Sequence, residues 1–228
     1  MSDGDVQLSL MPDIAPAYDA SLAQWFTPPK LARRIARSFV ARRKLVVEPT
    51  AGSGSLIKAA LEAESETVLA MDVDPRWIEH IRERFADVYQ PTPALGGRSP
   101  QRVQTLRMDY LKTGPSFDVR GATVFMNPPD ASREGIDVAD FMVKAMHDAG
   151  PSGDVVALLR LNCLAGVDRR EVVWSVANIL NVAYLSRRPA YGEGGGKQEW
   201  CVVRYQLPRG KRDPIQRPQT EWWGDAWN

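Results

Sequence analysis

The sequence predicts an α/β domain on a mostly parallel sheet with an antiparallel edge strand. Three observations carry that reading. Short apolar runs alternate with helix-period stretches through most of the 228 residues, as strands crossing over through helices to parallel neighbours require. The last two runs are joined by Arg187-Arg188-Pro189-Ala190-Tyr191-Gly192-Glu193-Gly194-Gly195-Gly196-Lys197, too Gly-rich for a crossover helix, so they are expected to pair antiparallel. The composition, 44% hydrophobic and 25% charged, is that of an ordinary folded domain.

In chain order, Thr27 suits a helix N-cap with Pro28 at the first helical position. Leu31, Ile35, Phe39 and Val40 then form one apolar stripe, with arginines opposite. Leu45–Val47 reads as a buried strand and Leu56–Ala63 as a helix; Thr67–Met71 reads as the second strand, followed by a helix marked by Ile78, Ile81 and Phe85. Residues 87–102 are rich in Pro and Gly and read as a loop. Further strands are expected at Val103–Leu106, Ala122–Met126, Val155–Leu161, Val182–Leu185 and Trp200–Tyr205, making seven, with helices at Val138–His147 and Glu171–Leu180. Residues 1–23 read as a flexible N-terminal segment, 24–206 as one α/β domain, and 207–228 as a basic, Trp-rich tail that either folds back over the body or docks on a partner, the first being favoured.

Lys and Arg total 29 against 28 Asp and Glu, a net charge of +1, which excludes a uniformly basic nucleic-acid-coating protein. The charges are nevertheless segregated. Residues 1–23 carry four acids and no base, 30–44 seven bases and no acid, 62–87 eight acids against three bases, and 204–217 five bases against one acid. Such runs are either solvated faces or local binding surfaces. Two cysteines, Cys163 and Cys201, offer neither a disulfide framework nor a metal cluster. No apolar run reaches membrane-spanning length, and the acidic start lacks a secretory signal's pattern, so a cytoplasmic location is expected.

In open α/β sheets ligands bind beyond the carboxyl ends of the strands, so those residues carry the chemistry. After the first strand comes Glu48-Pro49-Thr50-Ala51-Gly52-Ser53-Gly54, either a ligand-cradling loop or a tight turn. Asp72-Val73 follows the second strand, where a carboxylate can grip a ribose diol. Asp109-Tyr110 follows the third, offering an acceptor beside a ring able to stack on a base. Each acid can equally be a helix cap. Asn127-Pro128-Pro129-Asp130 follows the fourth, either a rigid turn or, as its place directly behind an apolar strand favours, a backbone fixed so that an amide and a carbonyl converge on one amine. His80 and His147 read as surface residues.

Taken together in this order, these segments resemble S-adenosylmethionine-dependent DNA adenine-N6 methyltransferases of phage and restriction–modification type, in the gamma arrangement of motifs. Gln24-Trp25-Phe26-Thr27-Pro28-Pro29 is similar to the family's segment preceding the Gly-rich loop, and Leu159–Gly166 and Ser186–Tyr191 are similar to later stretches of phage members. The resemblance implies a Rossmann-like class I methyltransferase fold and S-adenosylmethionine as cofactor. It implies cofactor contacts from Phe26, Thr27, Pro28, Glu48, Pro49, Thr50, Ala51, Gly52, Gly54, Asp72, Val73, Asp109, Tyr110 and Asn127. Asn127, Pro128, Pro129 and Asp130 would be catalytic, and no metal is implied. Asp130, Tyr191, Arg188 and Lys197 would meet the substrate; the Tyr191 ring either stacks on the target base, supplying the face that Asp130 lacks, or packs its own loop. The sequence departs from the family at Asp130, where an aromatic is usual. The implied partner is nucleic acid, DNA first, in a bacterial or phage-infected cell. Target recognition would fall to loops, to a homodimer or to a partner subunit. The alternatives are an amino-methyltransferase acting on RNA or protein, and a non-catalytic subunit that keeps the fold.

Overall fold

The computed structural model describes residues 26–88, 102–112, 119–129, 137–189, 198–210 and 218–224. Among the described residues, eight strands form one sheet: β1 Leu45–Glu48, β2 Thr67–Asp72, β3 Arg102–Arg107, β4 Thr123–Met126, β5 Asp154–Arg160, β6 Asn178–Leu185, β7 Trp200–Gln206 and β8 Gln219–Trp223. Their order is β3-β2-β1-β4-β5-β7-β6-β8. All neighbouring pairs are parallel except those made by β7, which runs antiparallel to both β5 and β6. The last two expected strands therefore pair antiparallel towards one end of the sheet. The eighth strand, beyond the expected seven, comes from the Trp-rich tail and lies parallel to β6 at the edge.

Strands β1, β2, β4 and β5 are buried almost throughout, as continuous apolar runs covered on both faces must be. Helices α1 Pro29–Ile35, α2 Ser55–Glu62 and α3 Pro75–Arg84 contribute to the core on one face; α4 Val138–Ala149 contributes to the core on the other. Local chemistry starts these helices. Asp74 caps α3 by accepting from the Arg76 amide, with Pro75 in the first turn, and α4 opens with a capping box between Asp137 and Asp140. The expected α1 stripe is buried as read, and α1 continues as a π-helical turn over Ala36–Val40. Its N-cap is Pro28, not Thr27, so Pro29 takes the first helical position; the Thr27 hydroxyl is engaged elsewhere.

A second difference lies before β6. The helix expected over Glu171–Leu180 is instead a single short turn, α5 Val167–Arg169, extended by a π-helical turn over Arg170–Trp174. Residues from Asn178 onward are strand, because Asn178 pairs with Gln206 and sheet pairing overrides helical periodicity.

At the amino ends of the central strands, buried Asp154 accepts from Arg43, Arg204 and Thr123 at 3.0, 2.6 and 2.6 Å. Two arginines from the basic runs are thus committed to tying β5, β7 and the chain before β1 together. Arg42, a third, pairs with Glu64. Cys163 and Cys201 are buried free thiols. Among the described residues, no helix is long and apolar enough to cross a membrane, and no group of His, Cys, Asp and Glu could hold a metal ion.

Candidate active site

Strand order reverses beside β1, with β2 on one side and β4 on the other, and the sequence-predicted residues gather at the carboxyl ends of these three strands. Glu48 ends β1 with its side chain 2% exposed. Burial and then the nearby charge of Asp72 push its carboxyl well above the ordinary glutamate range, opposed by a hydrogen bond from the Ile57 amide. Glu48 Oε2 has no hydrogen-bond partner.

The chain then turns through Gly52 and Gly54, at φ +46° and +78°, in the left-handed region that side chains disfavour. A Cβ on Gly54 would lie 2.9 Å from the Phe85 ring, and one on Gly52 would lie 3.3 Å from Phe26. The loop is held from β2. The Ala51 amide donates to the Met71 carbonyl at 2.8 Å, and the Gly52 amide to Asp72 Oδ2 at 2.9 Å. The other Asp72 oxygen accepts from the Asp74 amide at 2.9 Å. Burial raises the Asp72 carboxyl above its ordinary range, while these amides pull it back. Val73, the next residue, is 52% exposed, an apolar wall open beside two buried acids.

Phe26 meets the Trp77 ring edge-on at 5.0 Å between centroids, and His80 packs edge-on against the same indole at 5.7 Å. His80 is therefore half-buried in this wall rather than a surface residue, and burial lowers its pKa. Arg84 donates to the Ser53 carbonyl and secures the loop from α3. Trp77 and Arg84 join the site without a sequence signal of their own: Ile78, Ile81 and Phe85 mark α3, and the contacts to Phe26 and Ser53 arise only in the fold.

From β4, Asn127 enters with Pro128 and Pro129 behind it. Its Nδ2 donates to Thr27 Oγ1 at 3.1 Å, and its main-chain carbonyl accepts from Thr50 Oγ1 at 3.3 Å. Residues 100 and 77 positions apart in sequence are thereby brought to one asparagine.

Tyr110 does not stand open beside Asp109 as the sequence suggests. Its ring is 3% exposed, stacks on Phe141 at 6.3 Å and lies beneath the Lys144 ammonium, so it packs the core under α4 and has no face to offer a base. Asp109 caps the following turn, with Oδ1 accepting from the Leu111 and Lys112 amides and Oδ2 paired with Lys112. Arg188 pairs with Glu199 across the approach to β7. Asp130, Tyr191 and Lys197 lie outside the described residues, as do Gln24 and Trp25.

No family model matches the chain, and no curated protein matches it in sequence. Solved structures do match. One is a candidate class I S-adenosylmethionine-dependent methyltransferase from Listeria monocytogenes, with a TM-score of 0.66 and 15% identity over 96% of this chain and 71% of that one. Another is a candidate RNA methyltransferase from Pyrococcus horikoshii, at 0.63 and 17% over 89% and 96%. A third is the M protein of the type I restriction enzyme EcoKI, at 0.57 and 15% over 84% of this chain but only 45% of that one. The chain has the class I methyltransferase fold.

Proposed function

We propose that this chain is an S-adenosylmethionine-dependent amino-methyltransferase whose acceptor is adenine N6 in DNA, acting in the cytoplasm of a bacterial or phage-infected cell. One observation carries the reading: the Gly52–Asp72 clamp and Asn127, held by Thr27 and Thr50, occupy the switch point of a methyltransferase fold. The residues fit the cofactor. An orphaned, buried Glu48 oxygen calls for a donor or a cation, Asp72 faces the loop, and exposed Val73 offers a hydrophobic wall for a base. When bound, S-adenosylmethionine supplies a sulfonium methyl whose transfer to an amine nitrogen leaves a neutral thioether and releases one amine proton to water.

The chain's own residues do the rest. Burial holds the Glu48 and Asp72 carboxyls towards their protonated forms, and a cationic ligand beside the Gly loop would favour their charged forms and gain their attraction. An exocyclic amine is a poor nucleophile while its lone pair is delocalised into the ring. Hydrogen bonds accepted from it by Asn127 Oδ1 and the Pro128 carbonyl favour a pyramidal nitrogen, so the contribution is positioning and fixed polarity. A base in a duplex must first be unstacked, at a cost of a few kcal/mol.

The second reading, an RNA or protein amine, draws support from Asp130 in place of the family's aromatic and from the likeness to the Pyrococcus protein. Tritiated-methyl transfer to duplex DNA, single-stranded DNA, RNA and protein in parallel, with nucleoside analysis, separates them. N6-methyladenine from DNA, abolished by Asn127→Ala, is the expected result. Label in RNA or protein alone selects the second reading. Cofactor binding with no transfer anywhere makes the chain a non-catalytic subunit.

A further inference from the structure

We propose that Thr27 is a positioning residue for methyl transfer: by accepting the Asn127 Nδ2–H, its hydroxyl holds the Asn127 amide with Oδ1 as the atom turned towards the acceptor amine. The inference rests on the amino-methyltransferase reading and deepens it by giving the Thr27 hydroxyl, whose partner is Asn127, this task in place of the cofactor contact that the resemblance implies.

A side-chain amide presents an acceptor at one end and a donor at the other, and rotation by half a turn about its last bond exchanges them at nearly the same place. Only the acceptor helps an amine shed its protons; the NH2 end would meet the amine's own N–H groups. The main chain at Asn127 is set by Pro128 and Pro129 and by the 3.3 Å hydrogen bond from Thr50. The side chain keeps two rotatable bonds, and the contact with Thr27 constrains both. A hydroxyl can accept from Nδ2 or donate to Oδ1; here it accepts, at 3.1 Å. Thr27 is 4% exposed, so water competes poorly for this bond. The local fold explains how it comes to be there. The N-cap of α1 falls on Pro28, which lacks a side-chain acceptor, and the Thr27 hydroxyl is thereby released from capping and directed across to β4.

The test uses the full chain with Thr27→Val, which keeps the shape and removes the hydroxyl, and Thr27→Ser, which keeps the hydroxyl. Thr27→Val is expected to lower kcat on mixed-sequence duplex DNA by about 10- to 100-fold, while the calorimetric Kd for S-adenosylmethionine stays within about threefold. Thr27→Ser is expected to retain most of the turnover. In a nitrogen-15 spectrum, the Asn127 side-chain amide pair, identified by its loss in Asn127→Ala, should move in Thr27→Val and stay near its place in Thr27→Ser. An unmoved amide pair, or a loss of cofactor affinity as large as the loss of turnover, overturns the proposal. Full turnover by Thr27→Val in an active enzyme also overturns it, leaving the amino-methyltransferase reading intact. If the wild-type chain transfers methyl to no acceptor, that reading fails first and Thr27 loses its task even where the amide pair moves.

Discussion

Glu48 holds a carboxyl where water does not reach, and this has a measurable effect on stability. Burial, then the Asp72 charge, raises its folded-state pKa above the unfolded value. Between those values the folded chain holds a proton that the unfolded chain has released, so stability from this group falls as pH rises from the ordinary glutamate pKa, about 4.3, upward through the folded one. Glu48→Gln removes that loss. The variant is expected to melt higher than wild type at neutral pH, with the gap closing towards pH values where both states are protonated, and to bind S-adenosylmethionine more weakly. Equal melting curves across the pH range would mean that the site relieves the charge by itself. At this scale the sequence was informative where position alone decides. Glu48, Asp72 and Asn127 each follow an apolar strand, and the fold brings strand ends together. It misled where orientation decides. Tyr110 also follows a strand, but Phe141 and Lys144 on α4 draw its ring into the core, and no spacing in the sequence encodes that packing.

Strand β8 shows what alternation does to two identical neighbours. Trp223 is 2% exposed, stacks on Phe39 at 5.7 Å and lies beneath the Arg34 guanidinium. Trp222, on the other face, is 74% exposed and rests only on Tyr184 among the aromatic rings of the described residues. Trp223→Ala should therefore cost about 3 kcal/mol, a midpoint lower by roughly 6–12 °C at this chain length. Trp222→Ala should cost about 1 kcal/mol or less. Denaturant melts of the two variants check this, and equal losses would show that β8 does not dock as described. The tail was legible as something that packs, because clustered tryptophans seek cover, but not as a strand: five residues leave no periodicity to count, and their partner is 38 positions away at the Asn181–Gln219 pair. The stretch before β6 erred in the opposite direction. Its valines fit a helical period, yet Val172 and Val176 are 53% and 46% exposed and the chain straightens at Asn178 to meet β7.

Across the whole molecule, a net charge of +1 hides the division of its arginines between two tasks. Arg43 and Arg204 join on buried Asp154 and so serve the fold, whereas Arg42 pairs with Glu64 on the open surface. Lys30, Arg34 and Arg37 are exposed on α1 and its π-helical continuation, which begin beside the Thr27–Asn127 contact. A polyanion approaching the active site would meet this side of the chain, where Lys30, Arg34 and Arg37 recur at spacings that share a helix face. Counterion release then sets the salt dependence: three phosphate contacts by these residues predict that affinity for duplex DNA falls about 40-fold between about 50 and 200 mM salt. Lys30→Ala and Arg37→Ala should each weaken binding across sequences and reduce the slope of log affinity against log salt by about one. The buried pair makes the contrast. Arg204→Ala should destabilise the fold, since it removes one of the two cations on Asp154, and leave that slope unchanged in the protein that remains folded. Fluorescence anisotropy with a labelled duplex measures all three. A slope near zero in the wild type, or one that Arg204→Ala lowers as much as Arg37→Ala does, would sink the assignment of this surface to nucleic acid.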